Sequence, residues 1–308
     1  MSEVPMFAIV TVTKNDLISL IRSRESIEKQ TFHSWLHIII DAKSIDGTVS
    51  YCQNLPQRNT IFISETDSGI YNAMNKGWKL APQSSYVIYL NAGDTFASDN
   101  ALENAHEELI RHRLPPWGCT THEEISQDGE IWYSKRVSSP NIRNQLYAYG
   151  YRSHQGVLMQ KNLIESLNGF DENYEIASDW DLIVRAMLRI KPIEWNSALI
   201  RFELGGLSSI RILQAHEELY QLRKQYLLST RTDYFLDYLW KGIYLRNLGY
   251  SNFFGKFLTA VFSIQKALVY TIHIIIKPLS FLYHYSLKYA GEIYRFLMKK
   301  QKSDVTKP

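Results

Sequence analysis

Apolar residues come in short unbroken runs through the first third of the chain: FAIVTVT (Phe7–Thr13), LHIII (Leu36–Ile40), TIFIS (Thr60–Ser64) and YVIYL (Tyr86–Leu90). Runs of this length without polar alternation predict strands buried on both faces. Between them apolar positions recur at helical spacing: in Leu17–Gln30, in a helix starting near Asp46, and in Ile70–Ala81. In the last, Ile70, Ala73, Met74, Gly77, Trp78 and Ala81 form one inward stripe. Strand–helix alternation of this kind predicts an α/β fold with a parallel sheet.

Beyond Asn100 the pattern predicts a helix over Ala101–Arg113, a hairpin turning about Asp128–Gly129 and a strand in SHQGVLM (Ser153–Met159). A helix closed by Gly169 follows, then one opening at Ser178 or Asp179, and a strand in IEWNSALIRF. From Ile210 the chain turns helical and aromatic. Phe253–Met298 mixes apolar and aromatic residues with spaced lysines, and Lys266 and Pro278 interrupt it. A central lysine disfavours a membrane span by roughly 2.5–3.5 kcal/mol, so the expectation is a helical tail lying on a membrane surface.

Composition is that of a globular protein: 308 residues, 45% hydrophobic and 21% charged. The net charge of +3 is unevenly placed. From Ser251 to Pro308 nine Lys or Arg stand against Glu292 and Asp304, giving the tail +7 and the rest −4. A basic tail on a mildly acidic body points to an anionic membrane surface as the tail's partner, with no nucleic acid implied. Cys52 and Cys119 have no metal or disulfide spacing, and the N-terminus has no signal-peptide pattern; both point to a cytoplasmic setting.

Each early strand ends in polar residues: Lys14 and Asn15, then Asp41, then Glu65 and Asp67, then Asn91 and Asp94. In an open α/β sheet the carboxyl ends of the strands form the ligand crevice, so these residues converge on one edge. Helix capping competes as a use for Asn15, Asp46 and Asp67. No GxGxxG follows the first strand, and GxxxxGK[ST], HExxH and paired CxxC are missing. Dinucleotide-binding, P-loop and zinc chemistry therefore lack their motifs.

In order along the chain stand VTVTKND, IIIDAKSIDGT, SETDSGIYNAMNKG, YLNAGDTF, SHQGVLM, GFDENYEIASDWDLIVRA and GGLSS. This series, from about Phe7 to Ser209, resembles the family 2 glycosyltransferases of the GT-A fold, most of all the bacterial enzymes of exopolysaccharide, colanic-acid-type and O-antigen assembly. The resemblance implies a Rossmann-like mixed sheet, a nucleotide-sugar donor, a divalent metal (Mg²⁺ or Mn²⁺) and single displacement with inversion at the anomeric carbon.

It also implies roles. Thr13 and Asn15 line the base pocket at the end of the first strand, and Asp41 contacts the base or ribose. Asp67 touches the ribose or sugar, and Lys76, beside Asn75 in the family's N-x-G helix, contacts the donor. LNAGD stands where the family carries its DxD-type run. Only Asp94 is acidic there; it is the expected metal ligand, with phosphate oxygens and water completing the shell. Asn91 and Ala92 then line the sugar site. His154 matches a position near the metal and diphosphate; Arg152, two residues before it, has the chemistry to pair with phosphate, against the default of an exposed arginine. Asp179, at a helix N-terminus that favours a carboxylate, is the expected general base, with Asp181 in support.

The expected organisation is a catalytic domain over 1–210 and a helical, basic, membrane-docking region over 211–308, peripheral on the inner face of the plasma membrane. The expected reaction moves a sugar from a UDP- or GDP-sugar to a lipid-linked saccharide. A non-catalytic nucleotide-sugar-binding or scaffold subunit is the alternative, for which the thinned NAGD run speaks. Retention of both Asp94 and Asp179 favours the enzyme.

Overall fold

The apolar runs form the parallel half of a single sheet. The computed structural model describes residues 4–125, 131–133, 154–203 and 211–226. Strands β1 (Phe7–Thr13), β2 (Trp35–Asp41), β3 (Thr60–Ser64) and β4 (Tyr86–Tyr89) alternate with helices α1 (Leu17–Glu28), α2 (Thr48–Gln53) and α3 (Ile70–Leu80). After β4 come β5 (Thr95–Phe96), α4 (Ala101–Arg111), β6 (Trp117–Ile125), β7 (Ile131–Tyr133), β8 (Val157–Gln160), α5 (Lys161–Ser166), α6 (Ser178–Arg189), β9 (Ile193–Glu203) and α7 (Ile212–Tyr226).

Among the described residues the sheet runs β3-β2-β1-β4-β8-β6-β9-β5, with β7 paired to β6. From β3 to β4 the pairing is parallel; β8 then pairs antiparallel with both β4 and β6. Successive side chains of β1 serve two cores. Ala8, Val10 and Val12 face Met74, Trp78, Leu182 and Ile183 of α3 and α6, whereas Phe7 and Ile9 face Ile27, Leu102 and Leu109 of α1 and α4. A strand covered on both sides needs no polar alternation, which is why the runs read as continuous.

Two features bring the predicted site residues to one edge. The chain builds outward from β1 to β3 and returns to the other side of β1 for β4, so the sheet order reverses between β1 and β4. Antiparallel pairing of β8 with β4 (Tyr86↔Gln160, Val87↔Met159) then carries the start of β8 to the end of β4. Residues far apart in sequence therefore share one crevice.

Several local expectations are corrected. Ile70 is 36% exposed, and Tyr71 takes the inward place on α3. His154–Gly156, expected as strand, form a 3-10 turn, and Gly156 lies so close to the Thr120 carbonyl that a Cβ would overlap it. Helix α5 ends in a Schellman motif, with Asn168 (φ 61°) in the left-handed position. Asn168 N–H donates to the Glu165 carbonyl and Gly169 N–H to that of Ile164. The strands flanking the expected hairpin pair as anticipated, Ile125 opposite Ile131; the turn at Asp128–Gly129 lies outside the described residues. So do Arg152, the GGLSS run and the basic tail. The chain divides into two compact units, Met1–Leu219 and Tyr220–Pro308. Among the described residues no helix is long and apolar enough to cross a membrane.

Candidate active site

The turn after β4 is fixed from beneath by α1. Gly93, at φ 98°, donates its N–H to Ser23 Oγ (2.9 Å) and to the Ser19 carbonyl (3.2 Å), and Ser23 Oγ also reaches the Asn91 carbonyl. Ala92 N–H extends the β1 pairing to Val12 at 3.4 Å. The turn thus presents Asn91 and Asp94 to the crevice.

Asp94 is 8% exposed, and its Oδ2 is buried without a hydrogen-bond partner, as is Oδ1 of Asn91. Burial pushes the Asp94 carboxyl up to about 7, against the opposing pull of the His154 charge and of hydrogen bonds from the Asn91–Asp94 turn and Gln155. An unpartnered carboxylate oxygen in such a place is costly unless something binds it, and a cation fits that need. Among the described residues no cluster of three His, Cys, Asp or Glu surrounds it, so Asp94 would be a lone protein carboxylate for such an ion.

His154 joins the two halves of the site. Its Nδ1 lies 2.9 Å from Asp179 Oδ2, and its Nε2 lies 3.2 Å from Asn91 Nδ2. Burial alone would lower this imidazole, but the hydrogen bond and charge of Asp179 and the charge of Asp94 outweigh it and hold it above its ordinary value. Expected beside the metal, His154 has both nitrogens committed: one orients the carboxylate of Asp179, the other meets Asn91. An imidazolium would donate from both, and reversing the Asn91 amide would put its orphaned oxygen in place to accept.

Asp179 sits in the first turn of α6 and is 8% exposed. Its Oδ1 accepts from Tyr71 Oη (3.2 Å) and from the Trp180 N–H (2.9 Å). The Tyr71 hydroxyl, also bonded to the Ile176 carbonyl, is held well above its usual pKa by burial and by the Asp179 charge. It therefore stays a donor. Asp181 points away and pairs with Arg185 (Nε 2.7 Å), which reaches the Gly169 carbonyl at 2.8 Å. Arg185, held by Asp181, thus ties α6 to the end of α5. A small apolar cavity lined by Tyr89, Val157, Met159, Phe170 and Leu182 lies beneath the His154–Asp179 pair.

The remaining predicted residues lie on the loops around this centre. Thr13, at the end of β1, has a buried hydroxyl without a partner. Asn15 (φ 50°) donates its N–H to Ser44 Oγ and accepts from the Ile45 N–H, stapling the loops after β1 and β2. Asp46, expected to start a helix, accepts from the N–H groups of Leu17 and Thr48 and so serves α1 and α2 together. Asp41, expected at the base or ribose, is fully buried. Its oxygens accept from the Ser44 N–H and from Ser64 Oγ, so its carboxylate shapes the loop and is closed to direct contact as it stands. Asp67 Oδ1 accepts from the Gly69 N–H at the entrance of α3. Lys76, expected on the donor, bonds the Thr66 carbonyl and Glu65 (both 2.8 Å) and secures the same loop.

Sequence reasoning passed over Tyr71, which broke the apolar stripe without suggesting a partner a hundred residues away. Nor did it give a role to Asn75, which is buried and accepts from the Phe170 N–H and Trp78 Nε1 while donating to the Phe170 carbonyl and Glu172. That side of α3 supports the loop leading to α6.

Residues 8–166 match the model of glycosyl transferase family 2. An uncharacterized glycosyltransferase of Mycobacterium tuberculosis is 28% identical over 218 residues, 68% of this chain and 80% of that protein. A PGL/p-HBAD biosynthesis glycosyltransferase of Mycobacterium bovis is 24% identical over 226 residues, 67% of this chain and 80% of that one. Among solved structures, S. aureus TarS 1–349 in complex with UDP-GlcNAc superposes with a TM-score of 0.57 at 15% identity, covering 71% of this chain and 64% of that chain. The mannosyltransferase PcManGT of Pyrobaculum calidifontis, in complex with GDP-Man and Mn²⁺, gives 0.56 at 14% identity, over 95% and 87% of the two chains.

Proposed function

This chain belongs to glycosyl transferase family 2, and from that premise we propose that it is an inverting, metal-dependent enzyme moving one sugar from a UDP- or GDP-sugar to a lipid-linked saccharide in cell-surface polysaccharide synthesis. The observation that carries this reading is the pairing of two carboxylates in opposite states within one crevice. Asp94 has a buried oxygen lacking a partner, whereas Asp179 is held in place by Tyr71, Trp180 and His154. Asp94 with Mg²⁺ or Mn²⁺ suits the leaving diphosphate; Asp179 suits the nucleophile.

In the reaction the acceptor hydroxyl oxygen forms a bond to the anomeric carbon from the face opposite the diphosphate. The bond from that carbon to the diphosphate breaks, and the electron pair leaves with the nucleoside diphosphate. The hydroxyl proton passes to Asp179, whose 2.9 Å bond to His154 keeps the accepting carboxylate oriented. When bound, a divalent cation supplies charge neutralisation for the departing diphosphate. Asp94 and Asn91 define the sugar end of the donor site, with Ala92 between them. Thr13 offers its unpartnered hydroxyl at the base end, and the loops secured by Asn15, Asp41, Asp67 and Lys76 wall the nucleotide.

UDP-GlcNAc and GDP-Man, bound in the two structures of similar fold, serve as first probes. The expected result is a rise in melting temperature with UDP or with GDP that requires Mn²⁺ and disappears with chelator, together with release of the same nucleotide from its sugar conjugate. Absence of both effects with both nucleotides would overturn the assignment. The basic tail beyond Tyr226 is proposed to dock the enzyme on the anionic inner face of the plasma membrane, where roughly 1 kcal/mol accrues for each Lys or Arg near the surface.

A further inference from the structure

Helix α6 delivers Asp179, yet the chain entering it has no side-chain cap of its own. The capping position is Ala177, which makes no side-chain cap hydrogen bond. A helix start leaves several N–H groups unpaired, and the chain usually meets them with a nearby Ser, Thr, Asp or Asn. Here a carboxylate from α7 meets the N–H of the cap residue and those of the two residues before it. Glu218 Oε1 accepts from the Glu175 N–H (3.1 Å), and Oε2 accepts from Ile176 (2.8 Å) and Ala177 (2.9 Å). Three consecutive backbone donors thus converge on one carboxylate, at the positive end of the helix dipole.

Further contacts brace the same segment. Arg211 pairs with Glu175 Oε2 at 2.7 Å, and Gln214 Nε2 donates to Glu218 Oε1 at 3.1 Å. The Ile176 carbonyl, between the clamped amides, accepts from the same Tyr71 hydroxyl that bonds Asp179. Residues 175–177 are therefore gripped on their N–H side by Glu218 and on a carbonyl by Tyr71, two residues before the carboxylate. The segment that follows the strand-and-helix core is thereby part of the site, and the first compact unit extends to Leu219 accordingly.

We propose that Glu218 is a positioning residue for Asp179: by clamping the amides of Glu175, Ile176 and Ala177 it fixes the start of α6 and with it the direction of the base. This rests on the reading of Asp179 as the base that takes the acceptor proton. Displacing a reacting group by about an ångström lowers turnover by up to roughly 100-fold without touching substrate binding. Loss of the clamp acts in that way, since Glu218 meets the backbone before α6 and no residue assigned to the donor.

The test compares the full chain with Glu218→Ala and Glu218→Gln by amide hydrogen exchange and by steady-state kinetics on whichever of UDP-GlcNAc and GDP-Man the wild type turns over. Glu218→Ala should speed exchange at 175–177 while the β1–β4 core keeps its protection. Its kcat should fall by roughly 10–100-fold with donor KM and UDP or GDP affinity unchanged. Glu218→Gln, which keeps one acceptor oxygen, should lie between. Unchanged exchange at 175–177 in Glu218→Ala overturns the clamp; faster exchange with unchanged kcat overturns its catalytic consequence. A general loss of protection across the sheet would show Glu218 to be a fold residue and likewise overturn the positioning role. Failure of the wild type to release nucleotide from either donor would instead sink the transferase mechanism, and exchange would still decide whether Glu218 holds this segment.

Discussion

Asp94 and Asp179 have the same side chain and nearly the same exposure, yet their surroundings make them different reagents. Every oxygen of Asp179 is bonded, so Asp179→Asn should keep the fold and nucleotide binding while kcat drops by about 10²–10⁴-fold, the usual worth of a positioned base; retained turnover would remove it from the mechanism. Burial pushes the Asp94 carboxyl from the ordinary carboxylate value of 3.8 up to about 7. Between those pH values the unfolded chain loses this proton before the folded one does, so in metal-free protein the contribution of Asp94 to stability declines as pH rises from about 4 to 7 and is flat above. Asp94→Asn should remove that decline, leaving the variant more stable than wild type at pH 8 by up to on the order of 4 kcal/mol. The same variant should lose the Mn²⁺-dependent thermal shift with UDP or GDP. Denaturant midpoints at pH 5 and 8 with chelator read the first effect; a variant no more stable at pH 8 would show that burial does not penalise the Asp94 charge.

At the level of elements, α3 does two tasks that its sequence merges. Its apolar side lies so close to β1 that a Cβ on Gly77 would overlap the Val10 side chain. Gly77→Ala should therefore destabilise by about 1–3 kcal/mol, as overpacking does, and Val10→Ala in the same chain should recover part of it; a urea midpoint unmoved by Gly77→Ala would refute the close contact. Its polar side, through Asn72 and Asn75, holds Phe170 and Glu172 and so supports the approach to α6. Asn75 and Lys76 are adjacent in the chain, but helical geometry sends one to the loop before α6 and the other to the loop after β3.

For the whole molecule, the proposed division of labour puts chemistry in the first unit and membrane attachment in the basic tail. A chain ending at Tyr226 retains Glu218, so it should still release nucleotide from its donor but remain unbound in flotation with anionic vesicles, to which the full chain should bind; equal flotation of both would place attachment elsewhere. The amino-acid sequence by itself determined the parallel core, because doubly buried strands must be continuously apolar and their crossover helices must show a 3.6-residue stripe. It also pointed to the candidate functional edge, since polar residues follow each early strand. Asp94 and Asp179 were legible as candidates from their family motifs. Their partners were not: His154 reaches Asp179 only because β8 runs antiparallel to β4, and Tyr71 and Glu218 reach α6 across about a hundred and about forty residues. Nor did the motif around Asp41 reveal that Ser44 and Ser64 enclose it. Strand and helix formation follow from local periodicity, which the chain carries in its order. Burial, pairing and the state of a charge depend on which distant residues the topology brings within about 3 Å, and only the tertiary structure decides that.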